Sequence, residues 1–175
     1  MALLKRFNGD VSINFEGEWL KLGTLIDNQH HMISKAAIQG QLNAAKEYKR
    51  LLKSNIRTGG MRFHYPPLST EYSKKKGSSK MFTYTHSLYN AIDIFISRSG
   101  RVSVGVPDGI TRTGGRPTNL EVGEYARILE GGNSKQKARP IFSDTFHQFG
   151  GKWAIGLEVR KQLYIVYSLF NIKLK

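Results

Sequence analysis

The 175-residue chain has no cysteine. That absence excludes disulfides, thiolate zinc sites, iron–sulfur clusters and a cysteine nucleophile together. Acidic residues are scarce: 13 Asp and Glu face 27 Lys and Arg, leaving a formal net charge of +14. Long apolar runs are missing as well. The longest resemble Leu163–Tyr167, so no bilayer-spanning helix and no membrane association are expected. Met1–Arg6 places its charge after a small apolar patch, the reverse of a signal peptide. A soluble protein made in a reducing cytoplasm is the expectation. Hydrophobic residues still make up 39% and aromatics 11%, too much for wholesale disorder. The length predicts a single domain over residues 1–175.

The positive field attracts polyanions, whether nucleic acid or acidic protein surfaces. The excess is spread along the chain, with one dense cluster at Lys74, Lys75, Lys76 and Lys80. Charge alone does not choose between a nucleic-acid-binding protein and an assembly protein.

Periodicity predicts the elements. Val11, Ile13 and Phe15 alternate with Ser12, Asn14 and Glu16, as in a half-buried strand. From Asp27, a plausible N-cap, apolar residues recur at three- and four-residue steps through Ala36, Leu42, Ala45, Tyr48, Leu52 and Ile56. That spacing predicts a long amphipathic helix stopped by Thr58-Gly59-Gly60. Gly40 inside it signals close packing or a bend. Pro66-Pro67 forbids a regular helix or central strand there. Ser73–Lys80 reads as a charged loop after one helical turn at Ser69–Lys74. Ile92, Ile94 and Ile96, the Arg98–Arg101 turn, and Val102, Val104 and Val106 predict a β-hairpin. Short helices are expected around Tyr125–Leu129 and from Pro140, with a further helical stretch from Trp153 to Tyr164. Asn171–Lys175 alternates like an edge strand. The expected fold is α+β: a long N-terminal helix and C-terminal helices packed on a small antiparallel β-sheet. Extended arms or loops are expected at about 1–24, 57–83 and 108–118.

Catalytic constellations are absent from the sequence. No acidic pair has D-x-D or H-E-x-x-H form, and the one E-x-x-E, Glu121 and Glu124, reads as a solvated helix start. His30 and His31 are adjacent on a helix and point about 100° apart, so they cannot clamp one metal. A nuclease built on His86, Asn90 and His147 lacks the surrounding pattern. The Gly114-Gly115 and Gly131-Gly132 loops lack the P-loop spacing. No enzyme activity, cofactor or metal is expected.

Three stretches in order carry a resemblance. They are Pro66–Ser69 with Tyr72; Phe82–Ile92 running into the hairpin; and Glu124–Gly132 followed by Ala138–Phe142. Behind a long N-terminal helix, this order resembles the head–tail joining and tail-completion (neck) proteins of tailed bacteriophages, minor tail protein Z-like members included. Their pattern is T-G-x-L before a strand pair, then Y-A-x-x-L-E-x-G-T, then R-P-F opening the last helix. Here His86 stands where the family usually has Gly, Gly132-Asn133 replaces Gly-Thr, and Ile141 precedes Phe142.

The resemblance implies a structural protein of the virion, assembled in the host cytoplasm and sitting at the head–tail junction. It implies a homo-oligomeric ring of six subunits. The ring's partners would be neighbouring neck, portal-proximal and tail proteins and the genomic double-stranded DNA in the channel. Subunit or partner contacts are expected at Lys74, Lys75, Lys76, Lys80, Arg112, Arg116, Glu130 and Arg139. Glu130 faces its own helix dipole unfavourably, and Arg139, within the chain or across a subunit boundary, is a candidate compensating cation. The alternative is a nonspecific DNA-binding protein acting through its basic surface.

Overall fold

The computed structural model describes residues 2–7, 10–15, 19–77, 81, 82, 86–107, 109, 121–134 and 136–169. The architecture is α+β, as expected. An N-terminal hairpin of β1 (Ala2–Phe7) and β2 (Asp10–Phe15) precedes the long helix α1 (Trp19–Arg57). Then come α2 (Thr70–Lys76), α3 (Ser87–Ala91), the hairpin β3 (Asp93–Ile96) and β4 (Val102–Gly105), and the helices α4 (Val122–Gly131), α5 (Ile141–Phe149) and α6 (Gly151–Leu169). Each hairpin is a separate two-stranded antiparallel sheet. Among the described residues no helix is long and apolar enough to cross a membrane.

Helix α1 is the spine. It runs 39 residues, a rod of roughly 58 Å at 1.5 Å per residue. It starts eight residues before the expected cap, so Asp27 lies inside the helix, exposed. An interior Asp costs only a few tenths of a kcal/mol. The region expected as an extended arm over 1–24 is therefore a paired hairpin followed by the first turns of α1. The stop is where it was expected: Gly59 and Gly60 both take positive φ, and their N–H groups donate to the Ile56 and Asn55 carbonyls.

The second half of α1 supplies Leu52 and Ile56 to the core, joined by Leu88 of α3, Ile92 just after it, Val122 and Leu129 of α4, Ile141 of α5, and Phe82 and Ala91. Lys49 on α1 donates to Asp93 at the start of β3 (2.7 Å) and holds that carboxyl below its ordinary pKa, helped by the Ile94 N–H. Asn55 reaches α5, donating to Thr145 Oγ1 (2.9 Å) and Gln148 Oε1 (2.8 Å). The hairpin turn forms as read, with Gly100 at φ +76° and its N–H on the Ser97 carbonyl. The helical turn at Ser87–Ala91 has no counterpart in the sequence reading. The Asn171–Lys175 strand lies outside the described residues.

The longest packing contact is between α1 and α6. Ile155 lies beside Ala44 and Ala45, and Val159 against Gly40, so the two helices run antiparallel. A Cβ on Gly40 would sit 2.8 Å from Val159 N and 2.9 Å from Glu158 O. Both are backbone atoms with no freedom to move aside, so the glycine marks close packing rather than a bend. Gly156, on the exposed side of α6, has nothing within 4 Å of that position. The two glycines should respond with opposite sign. Gly40→Ala is expected to cost about 1–3 kcal/mol through forced separation of the helices, and Gly156→Ala to gain up to about 1 kcal/mol. Urea unfolding of both variants checks this.

Candidate functional site

Helices α4 and α5 meet at a joint made from the residues of the third resembling stretch. Glu130, in the last turn of α4, turns its carboxylate onto the start of α5. It accepts from the N–H of Phe142 (3.1 Å) and of Ser143 (2.8 Å), and from the Ser143 hydroxyl. Those N–H groups have no partner within the helix, and the positive end of the helix dipole favours an anion there. Pro140 stands at the N-cap position, not the first helical position expected, and offers no side-chain cap. The carboxylate from α4 takes that role.

Arg139 therefore does not serve as the counter-ion of Glu130. Its N–H donates to the Leu129 carbonyl (2.7 Å), while its side-chain Nε and Nη2 donate to the Pro66 carbonyl (3.3 and 3.1 Å). The unfavourable placement of Glu130 on its own helix is offset by the neighbouring helix start instead. Arg139 ties the joint to the proline segment of the first resembling stretch. Gly132 at φ +73° lets the chain leave α4; a Cβ there would lie 2.8 Å from Ala138 N.

Two tyrosines brace the joint. Tyr48 of α1 donates its hydroxyl to the Phe142 carbonyl (3.0 Å), and its ring meets Phe146 edge-on. Tyr65 donates to Asp144 Oδ2 (2.7 Å). Burial, and secondarily the Glu130 carboxylate, raises the pKa of Tyr48 far above its ordinary value. Burial, then the hydrogen bond and charge of Asp144, raises that of Tyr65 further.

The other residues singled out in the sequence are scattered. Lys74 is exposed on α2. Lys75 and Lys76 lie in the same helix, so the front of the lysine run is helical and not a loop. Lysine is a good helix former, the Ser73 N–H donates to the Ser69 carbonyl, and Gly77 at φ +68° ends the helix. Lys80, Arg112 and Arg116 lie outside the described residues, as does nearly all of the 108–118 arm. His30, His31 and His147 are exposed on helices, and His64 and His86 are exposed with left-handed backbones at φ +51° and +55°. Glu121 and Glu124 line an open groove of about 560 Å³ with Arg127 and Phe142. Among the described residues no three His, Asp or Glu side chains come together as a metal would need.

One surface was not singled out in the sequence. Trp153 and Tyr164, eleven residues apart on α6, lie on one helical face and are 72% and 70% exposed, with Ile165 beside them at 51%. The helical period expected from Trp153 to Tyr164 does not by itself tell which side α1 covers. The chain matches no family model, no curated protein and no solved structure.

Loss of the α5 cap should be measurable. Glu130→Ala is expected to lower stability by about 1–2 kcal/mol, read as a lower urea midpoint with unchanged slope. A second expectation concerns alkaline pH. An unfolded tyrosine ionises near pH ~10, whereas folded Tyr48 and Tyr65 hold their protons to higher pH. Their contribution is complete below that point and is lost as pH climbs towards the folded-state values. The stability of the Tyr48→Phe, Tyr65→Phe double variant should fall less steeply above pH ~10 than that of the parent.

Proposed function

We propose that the chain is a structural subunit of the head–tail connector of a tailed-phage virion. Six copies close a ring through head-to-tail contacts, and the faces of that ring meet neck, portal-proximal and tail proteins. The observation that carries this reading is the uncovered aromatic face of α6. A heterologous contact between copies buries one patch per subunit against a different patch of the next and closes if the rotation does.

Other features support it. The two halves of the third resembling stretch bind each other through Glu130 and Arg139, as a pattern kept together for folding would. His86 takes a left-handed backbone at the position where the family pattern carries glycine. The N-terminal hairpin makes no extended contact with the rest of the described chain and is carried at the outer end of α1. A lone two-stranded hairpin is marginal in water, so a neighbour that orders it would gain area and specificity. The charge of +14 suits acidic partners or DNA in the channel.

Mass measurement and negative-stain imaging of the purified chain test the reading. Closed rings, or ring formation on adding tail or portal-proximal proteins, are expected. The Trp153→Asp, Tyr164→Asp variant should remain monomeric with its unfolding temperature unchanged, since exposed positions contribute little to monomer stability. A monomer that retains duplex DNA with a steep salt dependence and never joins tails would overturn it in favour of nonspecific DNA binding.

A further inference from the structure

We infer that the pocket between α4 and the Pro66–Ser69 segment binds a carboxylate of an acidic protein segment, with Arg139 as its principal ligand. The cavity measures about 440 Å³; Leu68, Met81 and Leu129 form apolar walls and Gln136, Lys137 and Arg139 a polar side. Arg139 is 93% buried, at 7% exposure, and among the described residues its side chain donates to one neutral carbonyl, that of Pro66. The ion pairs among the described residues are Lys49–Asp93, Arg50–Glu47 and Lys161–Glu158. None involves Arg139, and Glu130 is committed to the start of α5.

A charged side chain this deeply placed is normally paired. The guanidinium has five donors, and a planar pair of them matches a carboxylate in bidentate fashion. Among the described residues no fully enclosed side-chain nitrogen or oxygen lacks a partner. Arg139 is one of the residues that line the cavity, and we assign the guanidinium donors not taken by Pro66 to the incoming carboxylate. Lys137, exposed at the rim, adds a second positive charge. The ligand that suits this arrangement is a Glu or Asp side chain, or a chain end, flanked by apolar residues that rest on Leu68 and Met81. A duplex phosphate fits less well, because the charge is recessed and half its walls are apolar. The inference is independent of the connector reading and stands if no ring forms.

The test uses the full ¹⁵N-labelled chain and a capped peptide alternating Leu and Glu, at physiological ionic strength. The peptide is expected to shift the Arg139 Nε–H signal and the Lys137 and Leu129 amides. Its counterpart with Gln for Glu should bind at least about tenfold more weakly. Lys137→Glu should weaken the peptide about tenfold without moving the unfolding temperature, and Arg139→Lys should weaken it at least about tenfold as read at the Leu129 and Lys137 amides. If Arg139→Lys does not fold, Lys137→Glu decides. Several results would overturn the proposal: equal binding of the Gln peptide, no shift at millimolar peptide, or an unaffected Lys137→Glu variant. Displacement of the peptide by a short DNA duplex that shifts the same Arg139 signal would do so too, assigning the pocket to phosphodiesters.

Discussion

The fold depends on how closely two antiparallel helices approach. At Gly40 the backbones of α1 and α6 come within a distance that only a residue without Cβ permits. This contact holds α6 along the middle of α1, leaving the C-terminal turns to gather the core with α3, α4, α5 and the β3–β4 hairpin. Separating the helices there would loosen α6, which buries little else, and would uncover Ala36, Ala44 and Ala45. The small residues on that face of α1 and the glycine at its centre express one constraint.

A second level of organisation is the joint between α4 and α5. One carboxylate ends one helix and begins the next, one arginine links that joint to the proline segment, and two tyrosines from α1 and the 61–65 turn close over it. Glu130 and Arg139 draw attention in the sequence as opposite charges nine residues apart. In space each has a different partner. Their bonds account for the α4–α5 geometry, and Arg139 also lines the cavity beside Pro67 and Leu68.

Where local pattern and tertiary packing agree, the structure was legible from the residues. The β3–β4 hairpin has strict alternation and a glycine turn, and the end of α1 has two consecutive glycines; both formed where expected. Asp27 has the chemistry of a cap, yet α1 runs through it from Trp19, and the weak helix formers Gly23 and Thr24 upstream give no local signal for that earlier start. The β1–β2 hairpin carried a signal that went unread. The Asn-Gly dipeptide after Phe7 is a strong hairpin signal in sequence, and β1 and β2 pair antiparallel from Ala2↔Phe15 to Phe7↔Asp10. Two features depended on packing that no local pattern encodes: the exposure of Trp153 and Tyr164, and the cavity behind Arg139. Each depends on which side of a helix a distant segment covers.

The outer end of α1 has a mechanical consequence. Val159 meets Gly40 and α6 ends ten residues later at Leu169, so α1 overhangs its partner by roughly ten residues, or about 15 Å. The N-terminal hairpin is thus mounted on a cantilever whose root is clamped by backbone contact. A sideways push on the tip is borne by the stiffness of one unbroken helix and felt at the Gly40 clamp, far from the hydrophobic centre around Leu52 and Ile92.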